Sequence, residues 1–329
     1  MTMEIDPAAR AATDRPAPLL LDVDTGYDDA LALILALRSP DARVLGITCV
    51  AGNHSLDHVA DNTLRILDLV GAPEIPVALG AAQPLIESHR EPSLLHGRDG
   101  MGDTGLPASA RRPVGEHAVE LLRRTIADHD KPITLVALAP LTNIALFIRM
   151  YPALAARLAQ IVVMGGTYQS HGNTSPLAEF NLRQDPEAAA IVLESGLPIL
   201  LYPLDPFRQL TLSAAEIAAL AAEQRPLPRT VGAITSYVAE YLGRDSCALG
   251  DAGALAVALD RSHATIARFP ITVELTGTAT RGQTVLDRRT SGQRAGLTEW
   301  WTTAPAEVEV VTAVDVAYYK ARFLGAIES

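Results

Sequence analysis

The run Leu19-Leu20-Leu21-Asp22-Val23-Asp24-Thr25-Gly26-Tyr27-Asp28-Asp29 puts four carboxylates within eight residues, where an apolar strand gives way to an apolar helix. A strand of this composition belongs in a protein interior, and its tip goes with it. Carboxylates resist such burial unless something cationic collects them. Oxygen donors in this number suit a hard divalent cation such as calcium or magnesium. The junction is therefore a candidate site floor. A plainer reading has Asp28 and Asp29 facing the positive end of a helix dipole. It accounts for those two residues and leaves Asp22 and Asp24 without a reason.

The rest of the chain continues the alternation. Short runs rich in Val, Ile or Leu at 19–23, 44–50, 76–79, 133–138, 160–164 and 198–202 predict strands. Segments 55–69, 115–129, 141–150 and 185–195 predict helices, the first with Ser55 as N-cap and Gly71 just past its end. Further helices are expected near 213–223, 229–242, 251–259 and 315–326, and strands near 271–275, 283–286 and 307–313. Strands alternating with helices imply an α/β fold, a mostly parallel, Rossmann-like open sheet flanked by helices. No repeat or low-complexity linker divides the chain, so residues 18–329 read as one domain and 1–17 as a loose tail. Two long loops, 80–114 and 165–181, break the rhythm. Both follow strands, so both emerge at the carboxyl edge of the sheet, where ligands bind and where the acid cluster sits.

Composition removes several function classes. A net charge of −11, with Lys131 and Lys320 the only lysines, argues against a nucleic-acid partner. No stretch approaches the roughly 18 apolar residues of a membrane span, and Met1 to Pro18 lacks the apolar core of a secretory signal. A soluble, cytoplasmic protein with no membrane partner is expected. Cys49 and Cys247 are too few for a disulfide framework or a cysteine zinc site and read as small core residues.

Two families place an Asp-x-Asp at a strand end. Phosphotransferases of the haloacid dehalogenase type follow it with a Thr or Val where this chain has Gly26, and Lys131 is poorly placed to meet a phosphate. The fuller pattern, Asp22-x-Asp24-x-Gly26-x-Asp28-Asp29, resembles the N-terminal signature of the inosine–uridine nucleoside hydrolase family. The likeness continues in order through Val50-Ala-Gly-Asn53, Leu95-His96-Gly-Arg-Asp-Gly-Met-Gly102, Ala139-Pro-Leu-Thr-Asn143 and Val163-Met164-Gly-Gly. Its most specific block is Asn173-x5-Glu179-Phe-Asn181 followed by Asp185-Pro-Glu-Ala-Ala; Asp251 and Thr280-Arg-Gly-Gln-Thr-Val285 complete it.

The resemblance implies hydrolysis of a ribonucleoside to ribose and free base with bound Ca2+. Such chemistry needs a base for water, stabilisation of an oxocarbenium-like ribose and help for the leaving group. By resemblance, Asp24 is both metal ligand and general base, Asp29 a bidentate ligand, and Asp251 and the Leu138 main-chain carbonyl complete the metal shell. Asp22 supports Asp24 from behind. Asp28, Asn53, Asn173, Glu179 and Asn181 meet the ribose or water, Met164 packs under the sugar, and His96 contacts the base. Relatives are commonly homodimers or homotetramers.

One departure stands out. Many members place a His before the late calcium-binding Asp to protonate the leaving base, and purine-preferring relatives a Trp; here the position is Gly250. Tyr237 and Tyr241, one helical turn apart, could line a base pocket or pack as ordinary core, and Arg244 and His171 are weaker candidates. The alternatives are hydrolysis of a non-standard ribosyl compound, or ribose binding without turnover.

Overall fold

A computed structural model of the chain describes residues 16–90, 94–289, 293 and 306–328. The expected tail falls almost wholly outside them, although Ala17 already belongs to the first strand. Nine strands form one sheet: β1 (Ala17–Val23), β2 (Ala42–Cys49), β3 (Val77–Leu79), β4 (Thr134–Ala137), β5 (Gln160–Met164), β6 (Ile199–Tyr202), β9 (Ala264–Val273), β10 (Thr284–Leu286) and β11 (Glu307–Val314). Their order is β10-β9-β11-β6-β5-β4-β1-β2-β3. From β11 to β3 every pairing is parallel, and β9 and β10 extend the sheet antiparallel. A small separate pair, β7 (Thr211–Ser213) with β8 (Ser246–Ala248), is antiparallel.

Helices α1 (Tyr27–Arg38), α2 (Leu56–Leu69), α3 (Ala118–Asp128), α4 (Thr142–Met150), α5 (Pro152–Ala155), α6 (Phe180–Gln184) and α7 (Pro186–Leu193) accompany the first six strands. The later helices are α8 (Leu204–Phe207), α9 (Ala214–Ala221), α10 (Pro226–Tyr241), α11 (Asp251–Leu259) and α12 (Val316–Glu328). Side chains alternate across each strand, so Leu19, Leu21 and Val23 enter a core shared with α1, α2, α10, α11 and α12. Leu20 enters the opposite core, with α3, α4 and α7. Both faces of the sheet are therefore covered, as the near-continuous apolar strands require.

The chain leaves β1 for β2 and β3 on one side and for β4, β5 and β6 on the other. The order reverses between β1 and β4, which makes the carboxyl ends of these two strands the switch point where open α/β sheets bind ligands. The acid-bearing end of β1 lies there, beside Leu138 just past β4.

Element ends differ from the sequence reading for local reasons. Helix α3 starts at Ala118, not 115, because the His117 imidazole caps it by accepting the Val119 N–H at 3.2 Å. Helix α7 starts at Pro186 because Asp185 caps it in the same way at Ala188. Helix α10 begins three residues before the expected 229, since prolines 226 and 228 are tolerated in a first turn whose N–H groups need no helical partner. Past α2, Gly71 adopts φ +63°, its N–H reaching the Asp68 carbonyl and that of Ala72 the Leu67 carbonyl, the paired closure that a left-handed residue permits. The strand expected at 271–275 runs from Ala264, because its first half pairs along β11. The pair β7 and β8 and the single turns α6 and α8 are too short to leave a period in the sequence.

Candidate active site

The backbone leaves β1 at Val23 and turns into α1 at Gly26, so Asp22 sits in the last strand positions and Asp28 and Asp29 in the first helical turn. Asp29 serves that turn directly. Its Oδ2 accepts the Gly26 N–H at 3.0 Å and its Oδ1 the Asp24 N–H at 3.2 Å. The helix-start reading is thus true of Asp29 without exhausting it. Gly26 is required here by space: a Cβ would lie 2.2 Å from His96 Nδ1 and 2.8 Å from Asn53 Nδ2.

The second acid source is α11, whose small side chains bring it against α1. Gly253 in its first turn lets Tyr202 approach, where a Cβ would stand 2.3 Å from the hydroxyl. Asp28, Asp29 and Asp251 each offer a carboxylate oxygen within 4.8 Å of the others. Asp28 and Asp29 open one helix and Asp251 another, so two positive dipole ends face the same point. This trio contains Asp28 and not Asp24. Asp24 lies alongside, its Oδ2 taking the Asn53 N–H at 2.6 Å, while Asn53 Nδ2 reaches Asp29 Oδ2 at 3.3 Å.

Burial pushes every one of these acids upward: Asp22 to about 7, Asp28 to about 8, Asp29 to about 6, and Asp24 and Asp251 well above the usual range. Desolvation is the leading cause throughout, and for all five the neighbouring acids or the hydrogen-bonding N–H groups modify it. Asp22 Oδ2, Asp24 Oδ1, Asp28 Oδ1 and Asp251 Oδ1 are buried without any hydrogen-bond partner. Orphaned buried carboxylate oxygens are costly. A cation coordinated by them removes that cost, so the donor set fits a hard metal ion.

Asp22 has one of its two oxygens taken up by neighbouring side chains. Its Oδ1 accepts from Thr48 Oγ1 at 2.5 Å and Asn143 Nδ2 at 2.8 Å. Asn143 also donates to the Cys49 carbonyl and accepts the Ala81 N–H, so it ties together the ends of β1 and β2 and the first long loop. Thr48 and Asn143 are supports that the sequence reading passed over. Asn143 stood in a quoted motif, and its buried amide next to a strand end was the available signal.

On the other wall, the Leu138 carbonyl accepts from Asn181 Nδ2 at 2.8 Å, and the same amide meets the Met164 carbonyl at 3.2 Å and its sulfur at 3.5 Å. Leu138, Met164 and Asn181 are thus one contact set at the ends of β4 and β5. Glu179 caps α6, accepting the N–H groups of Asn181, Leu182 and Gly166, and burial moves its carboxyl up to about 7. Asn173 is exposed, and its Oδ1 accepts the Phe180 N–H at 2.8 Å, bracing the turn into α6.

His96 is buried, and its Nδ1 accepts the Tyr27 N–H at 3.1 Å. A backbone N–H can only donate, so Nδ1 carries the lone pair and Nε2 the proton. Burial, with His54 nearby, drives the imidazole down to about 3, which keeps it neutral. Of the two candidate base-pocket tyrosines, Tyr241 is 48% exposed, and half-buried Tyr237 packs against the core while donating its hydroxyl to the Leu94 carbonyl at 3.1 Å, steadying the loop that carries His96. His171 is held by Arg208, which reaches its carbonyl at 2.9 Å and its Nδ1 at 3.2 Å. Cys49 and Cys247 are buried, with burial raising both thiols to about 12, in keeping with core residues.

Gly250 adopts φ +56° and ψ −121°, where an L side chain is strained. A Cβ there would stand 2.7 Å from Asp28 Cβ and 3.0 Å from Phe207 Cε2. The absence of a His is therefore matched by a local backbone built for glycine.

Fold and site together define an α/β protein with a carboxylate-lined candidate cation site at its switch point. The model of the inosine-uridine preferring nucleoside hydrolases matches residues 19–321, and the chain belongs to that family. It is a hydrolase acting on N-glycosyl compounds. The pyrimidine-specific ribonucleoside hydrolase RihA of Salmonella schwarzengrund is 38% identical over 275 residues, covering 82% of this chain and 88% of its own. Among solved structures, an inosine-guanosine nucleoside hydrolase superposes with a TM-score of 0.86 at 30% identity, over 95% of this chain and 99% of its own. A purine-preferring ribonucleoside hydrolase from Gardnerella vaginalis gives 0.84 at 31%, over 94% and 98%. These relatives name different bases, so the family fixes the bond that is cut and leaves the base open. Among the described residues, no helix is long and apolar enough to cross a membrane.

Proposed function

We propose that this nucleoside hydrolase releases ribose and a free base from its substrate with calcium as the resident ion and Asp24 as the general base. The observation that carries the reading is the meeting of carboxylate oxygens of Asp28, Asp29 and Asp251 within 4.8 Å of one another, with partnerless buried oxygens on Asp28, Asp251 and the neighbouring Asp24. Asp29, Asp251, Asp24 and the Leu138 carbonyl would hold the ion. When bound, calcium supplies the positive charge that acidifies a water and orients a ribose diol.

The chain's own groups do the rest. Asn53 fixes Asp24 Oδ2 through its main-chain N–H, which leaves Oδ1 as the face that accepts the water's proton. Asp28, the least buried acid of the trio, meets a ribose hydroxyl. Asn181, Glu179 and Met164 form the opposite wall for the sugar, and Asn173 stands further out beside them. His96 offers a neutral Nε2–H to the base. Buried carboxylates below the ring favour the positive charge that builds on ribose as the glycosidic bond lengthens. The same reading takes 18–329 as one catalytic domain of a cytoplasmic homodimer or homotetramer.

Gly250 favours a second substrate class, a ribosyl compound whose leaving group departs without a proton from that position. Incubating the calcium-loaded enzyme with a ribonucleoside panel, including N-ribosylated heterocycles outside the common bases, and assaying reducing sugar tests both. Ribose release from at least one compound, lost on chelation, is expected. Binding across the panel with no release overturns the hydrolase mechanism.

A further inference from the structure

Residues 85–90 of the first long loop are held both by the α6–α7 region and by the turn after β2. On the α6–α7 side, the Leu85 N–H donates to Asp185 Oδ2 at 2.9 Å and the Arg90 carbonyl accepts from Gln184 Nε2 at 2.9 Å. Between them, Glu87 receives Arg281 Nε at 2.5 Å and Arg183 Nη1 at 3.3 Å. Arg281 is shared: its Nη2 forks onto Glu187 at 2.7 and 2.9 Å and its Nη1 reaches the Leu275 carbonyl at 2.6 Å. Glycine at 282, with φ +82°, lets this turn press on α6, where a Cβ would lie 2.8 Å from the Arg183 Cα. At the turn after β2, His89 Nε2 donates to the Gly52 carbonyl at 2.9 Å.

Gly52 is the sensitive end. A Cβ on it would stand 2.0 Å from Asp24 Oδ2, so its backbone lies directly against the carboxylate. The next residue, Asn53, supplies the N–H that aims Asp24 and the amide that reaches Asp29. None of the acids in the cation site touches Arg281, yet Arg281 sets the span whose His89 grips Gly52.

We propose that Arg281 is a positioning residue for the hydrolysis: through Glu87 it fixes residues 85–90 as a strap that clamps the Gly52–Asn53 turn against Asp24. This rests on the assignment of Asp24 as the base. The Arg281, Glu87 and Glu187 side chains are 16%, 24% and 19% exposed, so the forked, charge-assisted contacts are partly shielded and stronger than surface pairs. Small misplacements of a catalytic group cost rate steeply.

The test compares Glu87→Ala, His89→Ala, their double variant, Arg281→Met and Arg281→Lys in the full-length, calcium-loaded enzyme. Each of the first two lowers kcat by about 10- to 100-fold with KM changed less than about threefold. The double variant is no worse than its weaker parent, because both act through one carbonyl, and Arg281→Lys falls between Arg281→Met and wild type. Hydrogen exchange over residues 49–54, measured without substrate, speeds up in both single variants. Wild-type kcat in Glu87→Ala and His89→Ala, multiplying effects in the double variant, or unchanged exchange at 49–54 overturns the strap. If the wild type releases no ribose from any substrate, the hydrolase mechanism falls, and exchange alone still decides the strap.

Discussion

Asp24→Asn lowers kcat for ribose release by about 10³-fold while the protein stays folded, the scale expected for removing a positioned general base. The side chain is buried just past the end of β1, and Asn53 already holds one of its oxygens at 2.6 Å. An amide of the same shape keeps that hydrogen bond through its own oxygen and places an NH2 where Oδ1 must accept a proton. Folding has little to lose, because a buried carboxylate with one partnerless oxygen is replaced by a neutral group. Steady-state kinetics with circular dichroism check this. A variant that retains more than a tenth of wild-type kcat would remove Asp24 from the base role.

Stripping the cation abolishes turnover and makes stability fall as pH rises from about 5 to 8. The sign follows from the acids. Asp22, Asp28, Asp29 and Glu179 are held up to about 7, 8, 6 and 7 in the folded chain, against ordinary values of 3.8 for the aspartates and 4.5 for the glutamate. Across that window the folded, metal-free protein holds more protons than the unfolded one, so raising pH favours unfolding. Calcium reverses the penalty by accepting the charge. Its stabilisation, read as the rise in Tm on adding calcium to chelator-treated protein, is larger at pH 8 than at pH 5. An equal rise at both, or a larger one at pH 5, would contradict an acid-built site.

The sheet was legible because parallel strands buried on both faces read as unbroken apolar runs, and β5 was delimited to the residue. The short pieces β7, β8 and α6 carry no period and no unbroken apolar run, and they were not legible. At the site, the motifs located the acids because chemistry demands those residue types. They did not disclose which three oxygens lie closest, since α1 and α11 meet only through packing. Supports such as Asn143, Thr48 and Arg281 escaped for the same reason: each acts on residues far along the chain. Tyr237 and Tyr241 do share a helix face, as their spacing implies, with their rings stacked 6.4 Å apart, but that spacing carried no sign of the bond from Tyr237 to the Leu94 carbonyl.

A crystal structure from calcium-containing solution, with the ion placed by its anomalous signal, tests the central claim most directly. The account predicts one calcium with oxygens of Asp24, Asp29 and Asp251 and the Leu138 carbonyl at roughly 2.3–2.6 Å. An ion held by Asp28 and Asp251 with Asp24 turned away, or no ion among these carboxylates, would contradict it.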